Sequence, residues 1–182
     1  MNQFEIRDKT KLLGIHFIQE EKEIPIDIQE KVINTILKVP LIILSTTRKY
    51  LKQKTNKNYL MDIETSNFDE FTILYELGHI VDTNLNYRIY SDDSLKRANM
   101  VEEKLSQGIK FGKLFNNAVQ ERGLDPELTR WTNPYLENEF YRDHLSKAKE
   151  ELWADSFACT FLERDLPKVV KTYFLKLETN NW

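Results

Sequence analysis

The sequence predicts an α+β fold, mostly helical, with a small sheet in the N-terminal half. Three observations carry that reading. Apolar residues recur at helical spacing over much of the chain beyond residue 68. The short apolar runs that suit strands, around residues 4–18, 41–44 and 58–63, lie within the first 65 residues. Only 5 glycines occur in 182 residues, too few for a sandwich or barrel that turns often. With 41 % hydrophobic and 30 % charged residues, the chain is expected to form one globular domain over residues 1–182.

The elements are read in chain order. Residues 4–18 mix apolar and polar side chains and are read as starting with a strand. Asp27 reads as a helix N-cap, with Glu30 three positions on and Ile28, Val32 and Ile36 on one face. Pro40 ends that helix, and the apolar run 41–44 reads as a strand. Arg48, Lys49, Lys52, Lys54 and Lys57 follow with no acid among them. Such a run is usually a solvated face, and the alternative is a site for an acidic partner. Residues 58–63 read as a third strand. Ser66 or Asn67 is expected to cap a strong helix from 68 to about 82. Two helical stretches at about 95–107 and 110–122 flank Gly108 and Gly112, with Gly123 as a C-terminal stop. A loop carrying Pro126 and Pro134 leads to a helix over about 146–163. Pro167 opens a last helix bearing Val169, Val170, Tyr173, Phe174 and Leu177. The chain thus divides into a strand-containing part (about 1–65), a central helix (about 68–82) and a helical C-terminal part (about 93–178).

Composition narrows the function classes. Formal net charge is -3, from 29 acids against 26 bases, and calls for neither nucleic acid nor an anionic membrane as partner. The single cysteine, Cys159, allows no internal disulfide and fits a reducing compartment. No stretch reaches the roughly 18 apolar residues of a membrane span. The first residues show neither an apolar core nor a cleavage pattern of a leader, so a cytoplasmic location is expected, with leaderless secretion or a trimmed leader as alternatives. His16 and the tryptophans Trp131, Trp153 and Trp182 read as structural residues, and Cys159 as a small buried apolar group.

The segment with chemical content is Tyr75-Glu76-Leu77-Gly78-His79. In zinc peptidases a helix carries H-E-x-x-H. The two histidines share one face and bind zinc, and the Glu between them is the general base on the metal-bound water. Here Tyr75 stands at the first position, while Glu76 and His79 fit. The plain alternative is a surface Glu beside a half-buried His. The second segment is Glu151-Leu152-Trp153-Ala154-Asp155. A Glu on a later helix supplies the third ligand in one large class of zinc peptidases. An acid one turn on can orient a ligating imidazole by accepting its second N–H. Ala154 and Ala158 are small enough for a close helix contact. Here the plain alternative is an amphipathic helix with two exposed acids.

Together the two segments resemble the anthrax lethal factor-like family of zincin metallopeptidases. Tyr75-Glu76-Leu77-Gly78-His79-Ile80-Val81-Asp82 is similar to that family's H-E-x-G-H-A-x-D, and Glu151-Leu152-Trp153-Ala154-Asp155-Ser156-Phe157 to its third-ligand helix. The resemblance implies a zincin-like domain that hydrolyses peptide bonds with Glu76 as base and zinc on His79 and Glu151, with Asp155 behind the metal ligands. Its partner would be a protein or peptide. The departure at Tyr75 removes one ligand, because a phenol of ordinary acidity is a poor substitute for imidazole near neutral pH. Two readings follow. In one, zinc is lost and the domain is a non-catalytic pseudopeptidase that binds a protein, like the degenerate toxin domain that docks on a pore-forming partner. In the other, His144 replaces the missing ligand and Tyr75 takes the oxyanion-stabilising role. The chain also resembles the ImmA-type regulatory peptidases, although the separation of 72 positions from His79 to Glu151 is long for either group and longer still for the ImmA type.

Overall fold

The computed structural model describes residues 1–13, 15–17, 24–44, 62–63, 69–86 and 110–177. Eight labelled helices account for most of them: α1 (Gln3–Leu13), α2 (Ile26–Ile36), α3 (Glu70–Asn86), α4 (110–120), α5 (Pro126–Leu136), α6 (Glu139–Asp143), α7 (Leu145–Phe161) and α8 (Lys168–Leu177). Extended pairing among the described residues is limited to β1 (His16–Phe17) and β2 (Asp62–Ile63), parallel, with His16 opposite Asp62 and Phe17 opposite Ile63.

The expected α+β class is therefore corrected to a helical one. Two residues per strand give a sheet no face to bury. The segment read as an opening strand forms helix α1 instead, burying Ile6 and Leu13 about two turns apart on one face. Residues 41–44, also read as a strand, form a helical turn that buries Ile43 and Leu44. A short apolar run satisfies a strand and a buried helical turn equally well, and packing decided for helix here. The stretches 45–61 and 87–109, which include the basic run and the helix expected at about 95–107, lie outside the described residues.

Local chemistry explains the helix ends. Asp69 caps α3: its carboxylate accepts from Thr72 N at 2.8 Å, and that bond holds its pKa below the usual value, while Ser66 and Asn67, the expected caps, lie outside the described residues. Pro25 precedes α2, and Asp27 lies in the first turn rather than at the cap. Asp125 caps α5 by accepting from Glu127 N and Leu128 N, with Pro126 in the first turn. The loop expected around Pro134 is thus a helix, and Pro134 lies inside it near its end. Gly123 takes φ +89°, the left-handed stop expected of it.

The core gathers around α7. Trp153, Phe157, Phe111, Tyr173 and Phe174 form an aromatic cluster linking α4, α7 and α8, with ring centroids 5.0–6.2 Å apart. Among the described elements the α3–α7 interface is the broadest. It is close because of Gly78. A Cβ there would stand 3.0 Å from Ala154 Cα and 3.2 Å from Ala154 O. This close approach of backbones sets the distance between the side chains that flank it.

Candidate functional site

On α3, Phe71, Tyr75 and His79 follow one another at four-residue steps and so share a face. Phe71 and Tyr75 stack with centroids 6.1 Å apart, and the Tyr75 and His79 rings meet edge to face at 4.7 Å. The facing stripe of α7 carries Glu151 and, one turn on, Asp155. Tyr75 Oη donates to Glu151 Oε2, and His79 Nε2 lies 3.5 Å from the same oxygen. From α5, Tyr135 Oη donates to Asp155 Oδ2. Two phenols, two carboxylates and one imidazole thus meet along the α3–α7 seam, with His79 and Glu151 still about a quarter exposed (30 % and 23 %).

The electrostatics follow from half-burial beside carboxylates. Burial, and then the Glu151 carboxylate, push the Tyr75 phenol pKa well above its ordinary value, so it remains a proton donor. Tyr135 is held up in the same way by burial and Asp155. Asp155 is itself raised: burial outweighs the opposing hydrogen bond from Tyr135. Further along α3, buried Asp82 is raised to about 7, mainly by burial, with Lys149 opposing and Glu150 adding to the shift.

The residues singled out by sequence divide clearly. His79, Tyr75, Glu151 and Asp155 come together from two helices. Glu76 does not join them; it is exposed on α3, about 100° round the helix from Tyr75. His144 also lies apart, at the exposed junction of α6 and α7, where its Nδ1 bonds the Phe140 carbonyl at 2.7 Å and its ring stacks on Phe140. Sequence reasoning missed Tyr135. Its partner lies 20 residues away, and its segment reads as a proline-containing loop.

The donors do not suit zinc in this arrangement. The Glu151 oxygen nearest His79 is taken by the Tyr75 hydroxyl and Asp155 by the Tyr135 hydroxyl, leaving one imidazole beside two engaged carboxylates. Among the described residues no group of three or more His, Cys, Asp or Glu is placed to hold a metal ion. The cluster's evident capacity is proton transfer. An imidazole sits beside an orienting carboxylate, with a phenol that stays protonated one turn away.

Comparison with known proteins corrects the family reading. The chain is 23 % identical over 138 residues to the D-aminoacyl-tRNA deacylase of Haemophilus influenzae, an alignment covering 76 % of this chain and 81 % of that protein. No family model matches the chain, and no solved structure matches it. The relative is named for deacylation of an aminoacyl-tRNA, not for peptide cleavage. This overturns the resemblance to lethal factor-like zincins and, with it, the metallopeptidase, pseudopeptidase, toxin-related and ImmA-type readings. A helix bearing Glu-x-x-His and a later helix bearing Glu-x-x-x-Asp can converge without a zinc peptidase being built on them. No described helix is long and apolar enough to cross a membrane.

Proposed function

We propose that the α3–α7 cluster is a hydrolytic site that cleaves an acyl ester, with an aminoacyl ester of RNA as the substrate class. The observation that carries this reading is the meeting of His79 and Tyr75 on one Glu151 oxygen in a partly open seam. In the proposed reaction His79 takes a proton from water as the new oxygen–carbon bond forms. Glu151 orients the imidazole and balances its transient charge. The Tyr75 hydroxyl turns from Glu151 to the carbonyl oxygen, where negative charge develops. When the ester carbon–oxygen bond breaks, the leaving hydroxyl receives the proton from His79. No step passes through a metal.

The name of the aligned relative supports the substrate class. The basic run from Arg48 to Lys57, read from sequence as a solvated face with an acidic-partner site as the alternative, offers under that alternative charge for an RNA strand that the net charge of -3 does not. Under this reading the partner is an RNA-borne ester, where the sequence led to an expected protein or peptide.

The test is release of the amino acid from D-aminoacyl-tRNA and from L-aminoacyl-tRNA. Wild-type protein is expected to accelerate at least one reaction. His79→Ala is expected to lower kcat by about 10²-fold or more, the range for removing a general base. Glu151→Gln is expected to lower it less. No acceleration of either ester by well-folded wild type sinks the proposal.

A further inference from the structure

Beside the cluster lies a row of rings that the proposed reaction does not use. Tyr135 and Tyr141 meet edge to face at 5.3 Å, Tyr141 and Phe140 at 5.2 Å, and Phe140 stacks on His144 at 4.7 Å with 19° between the planes. The row begins at the phenol bonded to Asp155 and ends in solvent, where Phe140 is 57 % exposed and neighbouring Leu145 45 %. Tyr141 also lies near enough to Tyr75 to affect its ionisation. The backbone of Phe140 is bonded on both sides, and its ring rests on that of His144. Asn138 caps α6 by accepting from Phe140 N at 2.9 Å, and His144 is tied through Nδ1 to the Phe140 carbonyl at 2.7 Å. Exposing a large ring held in place forfeits the free energy of burying it, without gaining side-chain freedom in return.

Resting on the hydrolytic reading of the α3–α7 seam, we infer that the Phe140–His144 stack is a subsite for the nucleobase of a nucleoside-borne ester. A base stacks on the exposed pair while the acyl group reaches Tyr75 and His79. Flat aromatic faces take any base and bring affinity through stacking. The charges around the stack offset one another: Arg142 lies against Asp143 at 3.6 Å and Lys147 against Glu150 at 2.9 Å. The subsite therefore reads the ring rather than the phosphate, and binding there is expected to depend weakly on salt.

Two measurements decide the matter. Adenosine, D-phenylalanine methyl ester and D-alanine methyl ester are titrated separately into the protein while the His144 ring resonances are followed by NMR. Adenosine is expected to shift them, at low and at high salt alike. No shift with adenosine, or a shift with the phenylalanine ester alone, overturns the inference. In the second measurement, hydrolysis of a D-alanyl ester of adenosine is compared with that of D-alanine methyl ester. Phe140→Ala is expected to raise KM about tenfold for the adenosine ester, in line with the loss of one stacked base, and to leave both kcat and the methyl ester unaffected. Equal effects on both esters overturn the subsite. If wild type hydrolyses neither ester, the proposed function fails, and the adenosine titration still decides for or against the stack.

Discussion

Tyr75 is the residue on which the site turns. Placed one turn before His79, it puts a hydroxyl against Glu151 where an imidazole would leave that carboxylate open to a cation. Its raised pKa keeps it a donor across the physiological range, because burial and Glu151 both disfavour phenolate. The consequence is measurable as metal content. Tyr75→His creates two imidazoles four residues apart facing Glu151, a three-donor set of the kind zinc accepts. After dialysis against chelator and addition of one equivalent of zinc, the variant is expected to retain close to one zinc per chain and the native protein far less. Stoichiometric zinc in the native protein would show that Glu151 gives up the phenol for the metal. The sequence singled out His79, Tyr75, Glu151 and Asp155 through zinc-peptidase motifs whose chemistry the comparison overturns, and their four-residue spacing puts each pair on one helix face. Tyr135 was not singled out, because its role comes from the packing of α5 on α7 and leaves no local pattern.

At the scale of elements, the site depends on how closely α3 approaches α7. Gly78→Ala brings a Cβ within 3.0 Å of Ala154 Cα, a backbone atom that cannot swing aside. The resulting overpacking, about 1–3 kcal/mol, is expected to outweigh the helix propensity gained, about 1 kcal/mol. Gly112, within α4, is the internal control, since a Cβ there meets nothing within 4 Å. Thermal unfolding should show Gly78→Ala less stable than wild type and Gly112→Ala more stable. Equal shifts would mean that the α3–α7 contact is looser than described. The helices from α3 onward were largely readable, since α3, α4, α7 and α8 all carry a buried stripe at helical spacing. In the N-terminal half the helix over Ile28, Val32 and Ile36 is present, and the strand readings failed where the signal was weakest. Segment 41–44 is four apolar residues with no period, and residues 4–18 hide a helix whose buried positions, Ile6 and Leu13, are only two. Pro134 misled for a different reason: proline near a helix C-terminus removes one N–H without ending the helix.

Across the described residues, α3, α5, α6 and α8 pack against α7, while α2 packs on α3 and α1 on α2, and the α3–α7 seam is the broadest of these interfaces. Asp82 ties that arrangement to pH. It is 7 % exposed, on the C-terminal half of α3, with its pKa raised to about 7 and with Lys149, Glu150 and Tyr173 as its charged or titratable neighbours. A raised carboxyl pKa means that the folded state holds a proton the unfolded chain has released. Stability from this group is thus full below about pH 4 and declines as pH rises to about 7. Asp82→Asn, which keeps the shape without the titration, is expected to lessen the fall in Tm over that interval by several degrees. An unchanged pH profile would place the titration elsewhere. Because the Asp82 carboxyl lies on the helix that also carries Tyr75 and His79, this test also probes the stability of the frame that holds the cluster.

The most direct test of the account is a double-mutant cycle on ester hydrolysis, using wild type, Tyr75→Phe, His79→Ala and the double variant with D-aminoacyl-tRNA as substrate. Two residues serving one transition state through one Glu151 oxygen are expected to act as a unit. The losses in kcat/KM should then be far from additive, with the double variant close to His79→Ala alone. Losses that multiply independently, or single variants as active as wild type, would contradict the reading of the α3–α7 seam as a catalytic cluster.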